Sequence, residues 1–410
     1  NENKNFSYLF ACCKDFLSGG RPEGWKMGGT ELMHIVSAPN AFKGSLTSGQ
    51  AAECIAAGIK KSKLSCTLKL IPIADGGDGT AHLISKKLYA KTLHAIVHDP
   101  LGKKITAAYG WDKKSETAII EMADASGIRL IKREILNPLK SDTRGTGELI
   151  KSALDKGAKK IVIGLGGSAT VDGATGLLNA LGVRFLDKSG RKLTELPKGL
   201  LALNRIDVGG IDNRLKDCEI ILLCDVTNKL LGKNGAAAVF GPQKGANKKE
   251  VALLEKCLYQ FNKIVKKDLK IDMDSFMHGG AAGGVAAALA AFMNAKLVSG
   301  ISYYLDIVSF DNELKNTDFV ITGEGALDTQ TLKGKGPYGV AEKANQHKIP
   351  VIVLAGQVPQ KIVKELHQYF NAIFSIGHAP ASVAEAINST AADLERTAFE
   401  LGNLIALKLT

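Results

Sequence analysis

At 410 residues the chain exceeds what one hydrophobic core ordinarily organises, so two domains with a cleft between them are expected. Apolar residues make up 45%, charged residues 23% and aromatics 6%, with 44 glycines, the composition of an α/β enzyme rich in tight loops. The net charge of +12 comes from Lys and Arg scattered singly, without interleaved aromatics, which argues against a nucleic-acid surface and leaves a field that concentrates small anions.

Residues 1–33 read as neither signal peptide nor domain, because Phe10, Ala11, Cys12 and Cys13 form too short an apolar stretch. They are expected to be a non-native or disordered leader, with Met33 as the natural start. No apolar run reaches the roughly 18 residues of a membrane span. Seven irregularly spaced cysteines give neither a disulfide framework nor a Cys-x-x-Cys metal pair, which points to a reducing, cytoplasmic setting.

From His34 onward, short apolar runs alternate with Gly-rich turns and amphipathic segments, the pattern of βαβ units and a largely parallel sheet. Strands are predicted at His34–Ala38, Thr67–Ile73, Lys160–Gly164, Glu219–Cys224, Asp318–Thr322, Pro350–Ala355 and Ala372–Ile376. Between Thr92 and Met122 the pattern changes, and Pro100-Leu101-Gly102-Lys103-Lys104 reads as a hairpin turn at the entry to a second domain. The Ala/Gly run from Gly279 to Ala291 suits close helix packing.

The residues that carry chemistry follow the strands, where open α/β sheets bind ligands. Asn40 and Lys43 follow the first strand. Asp75 and Asp78 follow the second in a glycine loop, a setting that brings backbone and carboxylate oxygen close to Mg²⁺; the alternative is an Asp-rich turn with Thr80 as helix cap. Gly166, Gly167 and Ser168 follow Lys160–Gly164 and lead toward a helix capped by Ser168 or Thr170, whose backbone N–H groups can hold phosphate. Asp172, placed in that helix's first turn, reads as a dipole partner or a general base. Asp225 ends another strand. Glu324, Asp328, Lys333 and Lys335 lie in a long polar loop before a helix starting at Pro337.

No Gly-x-x-x-x-Gly-Lys-Ser/Thr loop, Gly-x-Ser-x-Gly elbow or His-Glu-x-x-His run is present. Gly164, Gly166 and Ala169 also fit a dinucleotide fingerprint with Asp187 as the ribose acid. An NAD-dependent oxidoreductase built on Gly164–Asp187 is therefore an alternative, and a non-catalytic anion-binding regulator is another.

Seven segments taken in order resemble the type I glycerate kinase family. They are Ser37-Ala-Pro-Asn-Ala-Phe-Lys-Gly-Ser-Leu-Thr, Ala74-Asp-Gly-Gly-Asp-Gly-Thr, Thr143-Arg-Gly-Thr-Gly-Glu-Leu-Ile, Gly164-Leu-Gly-Gly-Ser-Ala-Thr-Val-Asp-Gly, Cys224-Asp-Val-Thr-Asn, Val239-Phe-Gly-Pro-Gln-Lys-Gly-Ala and Ile321-Thr-Gly-Glu-Gly-Ala-Leu-Asp-Thr-Gln-Thr. The resemblance implies ATP- and Mg²⁺-dependent phosphorylation of D-glycerate, with 2-phosphoglycerate favoured over 3-phosphoglycerate. It also implies a Rossmann-like parallel-sheet domain formed by both chain ends, 34–92 and 298–410, a second α/β domain inserted over 93–297, and a site between them. Asn40, Val171 and Thr227 depart from the family pattern, which usually has Asp, Asn and Asp there.

In that setting Asp172 is the expected base. Asp75 and Asp78 organise Mg²⁺ or substrate hydroxyls, with Asp225 a further metal carboxylate, and the Gly166–Ser168 turn meets phosphate. Lys43 clamps phosphate or carboxylate; Asn40, Asp78, Arg144 and Thr146 contact substrate; Glu324, Asp328 and Lys335 serve the nucleotide. The expected partners are ATP and D-glycerate, with neither nucleic acid nor membrane, and homo-oligomerisation is left open.

Overall fold

The computed structural model describes residues 32–329 and 331–407; the leader expected over 1–33 lies, except for its last two residues, outside them. Among the described residues thirteen strands follow in chain order: β1 (Met33–Ser37), β2 (Cys66–Leu70), β3 (Lys91–His98), β4 (Lys104–Asp112), β5 (Thr117–Glu121), β6 (Lys160–Gly164), β7 (Arg184–Leu186), β8 (Arg205–Asp207), β9 (Glu219–Leu223), β10 (Lys296–Val298), β11 (Phe319–Ala326), β12 (Val351–Gln357) and β13 (Ala372–Ser375). Each of the seven predicted strands has its counterpart, and the predicted hairpin joins β3 to β4.

The described residues divide into two compact units: those of 1–72, 311–329 and 340–410, and those of 73–310 with 331–339. The first unit holds a five-stranded parallel sheet in the order β13-β12-β11-β1-β2. Counted within this unit alone the order is 2-1-3-4-5, a doubly wound sheet whose direction of winding reverses between β1 and β11. Its central strands are near-continuous apolar runs, with Val351 through Ala355 wholly buried, as strands covered on both faces require, whereas β2, at one edge, is more exposed.

The helix Ser48–Lys61 starts at a Thr47/Gln50 capping box and buries Ala51, Ala52, Ile55 and Ile59. Each fully buried Ile contributes about 1.5–3 kcal/mol. The helix Val383–Ala406 packs against it at Gly58, where a Cβ would lie 2.2 Å from the Glu395 carbonyl oxygen.

The second unit is also α/β, but its sheet is mixed: β10, β9, β6 and β5 run parallel, and β4 and β3 continue antiparallel. Ala118, Ile120, Ile161, Ile163, Ile220 and Leu222 lie in its core. The helices Thr80–Lys87 and Gly300–Ile307, expected in the chain-end domain, pack on each other in this unit, the first also on β4 and β5. A Cβ at Gly110 would meet the Ser85 hydroxyl oxygen at 2.2 Å, which shows how closely that helix lies on β4. β7 and β8 form a separate antiparallel ribbon. Among the described residues no helix is long and apolar enough to cross a membrane.

Candidate active site

Because β5, β6, β9 and β10 are parallel neighbours, their carboxyl ends align; Glu121 pairs with Gly164, Gly164 with Leu223 and Leu223 with Val298. The loops leaving β6, β9 and β10 meet the Asp75–Thr80 loop there. A Cβ on Gly166 would lie 2.4 Å from the Gly77 carbonyl carbon and 2.5 Å from the Asp78 nitrogen. Gly167, at φ +69°, has the Asp78 carboxyl carbon 3.4 Å from its virtual Cβ. The predicted phosphate turn and the predicted carboxylate loop are therefore in backbone contact.

Asp75 is half-buried and its Oδ1 accepts from the Gly77 N–H at 3.0 Å. Next to it, Asp225 Oδ1 accepts from the Ser299 hydroxyl at 3.0 Å and the Gly300 N–H at 2.9 Å, whereas Oδ2 is buried with no partner. Burial first, and then the charge of Asp75, push the Asp225 carboxyl up to about 8. An unfolded Asp titrates near about 4, so between these values the folded chain holds the extra proton and stability falls as pH rises through the window. Asp225→Asn, a neutral isostere, is expected to raise the melting temperature in chelator-containing buffer by an increment that grows from pH 5 to pH 8. A pH-independent difference would show that Asp225 titrates normally.

Asp78 is more exposed and its Oδ1 accepts from Arg129 Nη1 at 2.9 Å, while Arg129 also engages Asp124. Among the described residues no group of three or more His, Cys, Asp or Glu side chains is arranged to hold a metal ion. Asp75 and Asp225 are brought together, and Asp78 is neutralised by a guanidinium. Two carboxylates, one with an unpartnered buried oxygen, fit Mg²⁺ in the manner of sites completed by water and substrate phosphates.

Asp172 is fully buried. Its Oδ2 accepts from the Thr143 N–H at 3.0 Å, the Thr143 hydroxyl at 2.8 Å and the Gly176 N–H at 3.0 Å, and Oδ1 has no partner. Burial raises its pKa against those hydrogen bonds. The helix here is only Thr175–Ala180, so Asp172 precedes it instead of lying in its first turn, and neither Ser168 nor Thr170 caps it. Thr80 likewise is no cap: Gly79 holds that place and the Thr80 hydroxyl accepts from the Gly76 N–H at 3.0 Å. Val171, the departure from the family pattern, is buried in the core.

Sequence reading missed Lys244. Its ammonium is buried and donates to the Ser168 hydroxyl at 2.8 Å and the Thr170 carbonyl at 2.7 Å. Burial pulls it down to about 7, partly offset by the charge of Asp172. Unfolded lysine titrates near about 10.4; between the two values the unfolded chain binds more protons, so this group makes stability rise with pH. Lys244→Met, which keeps the unbranched apolar stem one atom shorter and removes the donor, is expected to slow turnover about tenfold or more by releasing the turn. The parent's advantage in melting temperature should widen from pH 7 to pH 9; a constant gap would refute the buried titration.

Other expected residues are placed differently. Thr146 is buried with its hydroxyl 2.7 Å from that of Ser126. Arg144 is exposed and its Nε donates to Glu148 at 2.9 Å. Lys335 is half-buried in a turn closed by its N–H to Thr331 at 3.2 Å.

In the first unit, Asn40 and Lys43 follow β1 and meet the end of β11, which carries Glu324 and leads to Asp328. The Asn40 N–H donates to the Gly323 carbonyl at 2.8 Å, Asn40 Oδ1 accepts from the Ala41 N–H, and a Cβ on Gly325 would lie 3.4 Å from the Lys43 nitrogen. Lys43 is exposed, Glu324 buried and Asp328 half-buried.

The dinucleotide reading fails on topology. Its acid must end a strand beside the glycine-bearing one, yet β7 pairs with β8 and not with β6, and Asp187 closes the tight turn after β7 by accepting from Ser189 and Arg191, which lower its carboxyl to about 2.

The glycerate kinase family model matches residues 35–406. The chain is 39% identical to the glycerate 2-kinase of Escherichia coli K12 over 376 residues, 92% of this chain and 98% of that protein. It is 41% identical over 364 residues to the glycerate kinase of Halalkalibacterium halodurans, 89% of this chain and 96% of the relative. A crystal structure of a Salmonella typhimurium LT2 protein, 38% identical, superposes with a TM-score of 0.78 over 92% of this chain and 99% of its own.

Proposed function

The chain belongs to the glycerate kinase family, and on that premise we propose that it transfers the γ-phosphoryl group of ATP to the 2-hydroxyl of D-glycerate, giving 2-phosphoglycerate. The observation that carries the site assignment is the backbone contact of the Asp75–Asp78 loop with the Gly166–Ser168 turn, which sets carboxylates beside a glycine turn's backbone N–H groups. Phosphoryl transfer needs chiefly such positioning and charge neutralisation.

Asp75 and Asp225 would hold Mg²⁺, which supplies neutralisation of phosphate charge; Asp78, tied to Arg129, serves the substrate hydroxyls. The N–H groups of Gly166, Gly167 and Ser168 face phosphate oxygens. Asp172 Oδ1 takes the proton of the attacking hydroxyl, and its burial makes it the stronger base for that step. Lys43 and Arg144 attract the carboxylate and phosphates, while Asn40, Glu324, Asp328 and Lys335 contact the nucleotide or substrate polar groups.

A coupled ADP-release assay with D-glycerate, Mg²⁺ and ATP, followed by phosphorus NMR of the product, tests this reading. Glycerate-dependent release with the 2-phosphate resonance is expected. A 3-phosphate product would overturn the regiochemistry, and no release beside an active control enzyme would overturn the activity.

A further inference from the structure

We propose that Glu121 is a positioning residue for phosphoryl transfer, its carboxylate occupying the space beside Gly164 and holding the Asp75–Thr80 loop to the sheet. The proposal rests on the kinase reading of that loop. Glu121 ends β5 opposite Gly164 on β6 and is 4% exposed. Its Oε2 accepts from the Gly79 N–H at 3.1 Å and the Ala81 N–H at 3.0 Å, the residue after Asp78 and the first turn of the helix that follows. A Cβ at Gly164 would lie 3.0 Å from Oε1 and 3.5 Å from the carboxyl carbon. Glycine at 164 is thus explained by the neighbouring carboxylate.

Two observations separate this arrangement from an ordinary helix cap. Caps are usually supplied by a Ser, Thr, Asp or Asn at the helix start; here that place is Gly79, and the acceptor comes from a strand 42 residues away. The carboxylate is also buried near Asp78 and Asp124 with Oε1 unpartnered, an unfavourable placement on stability grounds alone. Glu121, Asp78 and Gly79 also line one cavity of about 320 Å³, together with Asp124 and Arg129. The two bonds to Glu121 tie the end of the loop to β5, while Arg129 holds the Asp78 carboxylate from the other side.

The test compares Glu121→Ala, Glu121→Gln, Gly164→Ala and the Glu121→Ala/Gly164→Ala double variant by glycerate-dependent ADP release at varied Mg·ATP, with thermal melts alongside. Glu121→Ala and Gly164→Ala are expected to lower kcat/KM for Mg·ATP about tenfold to a hundredfold. The carboxamide oxygen of Glu121→Gln can still accept both N–H groups and should recover activity to within about threefold of the parent. Since both sites act through one contact, the double variant should be no worse than the poorer single. Glu121→Ala at parental kcat/KM, or losses that multiply in the double variant, would overturn the proposal. If Glu121→Ala does not fold, Gly164→Ala against Glu121→Gln decides: parental activity in the former, or full loss in the latter, refutes it. Asp75→Asn serves as the control, because parental activity there would remove the loop's role in the reaction and not the tie itself.

Discussion

Asp172→Asn is expected to lower kcat by about 10²–10⁴-fold, the range over which a positioned base contributes, with little change in KM for ATP. The substitution suits the question because the fold uses only one oxygen of Asp172. Oδ2 takes the two donors of Thr143 and the N–H of Gly176, and the Asn side-chain oxygen can occupy that place. Its amide nitrogen then replaces Oδ1, the oxygen without a partner, so the change falls on the proton-accepting atom. Circular dichroism, a thermal melt and steady-state kinetics on the same preparation give the answer. A folded variant with most of its turnover would leave Asp172 as the tie between Thr143 and the helix Thr175–Ala180 and no more.

Gly166→Ala should cost turnover about a hundredfold while destabilising the protein by about 1–3 kcal/mol. Gly166 needs no left-handed backbone; what it needs is room. The added methyl would meet the Gly77 carbonyl carbon at 2.4 Å and the Asp78 nitrogen at 2.5 Å. Backbone cannot rotate aside as a side chain can, so the carboxylate loop must move off the phosphate turn. Gly190→Ala gives the contrast, since Gly190 sits at φ +81° in the tight turn after β7 with nothing within 4 Å of its virtual Cβ. That variant should lose about 1–2 kcal/mol of stability and retain its kinetics. Equal kinetic losses in both would mean that Gly166 acts through general stability alone.

Much of the fold was legible because parallel strands buried on both faces are short apolar runs, and Lys160–Gly164 or Pro350–Ala355 offer no other reading. Strand-end placement then pointed to Asp75, Asp78, Asp172 and Asp225 without any knowledge of which strands are neighbours. What could not be read was pairing. Glu121 lies in the Thr92–Met122 stretch, where no site residue was expected, and only its register with Gly164 shows why one is acidic and the other glycine. Lys244 lies in a Pro-Gln-Lys-Gly turn of solvated appearance; its burial comes from elements more than 70 residues away. For Thr146, expected to contact substrate, its neighbour in the fold could not be read either: the Ser126 hydroxyl lies 2.7 Å from its own. The helix after Asp172 began late for a local reason: the backbone at Gly173 and Ala174 turns left-handed before it can start.

The pairing of β1 with β11 carries a consequence for biosynthesis. His34 and Asp318 are hydrogen-bonded partners 284 residues apart, so the first unit's sheet cannot close until nearly the whole chain has left the ribosome. Residues 73–310, by contrast, are contiguous and hold the second unit's core, so that core can form during translation before 331–339 join it. For most of its synthesis the polypeptide therefore carries β1 and β2 as an unfinished pair of strands with an open edge, and that is the interval in which a chaperone or a premature association would act on it.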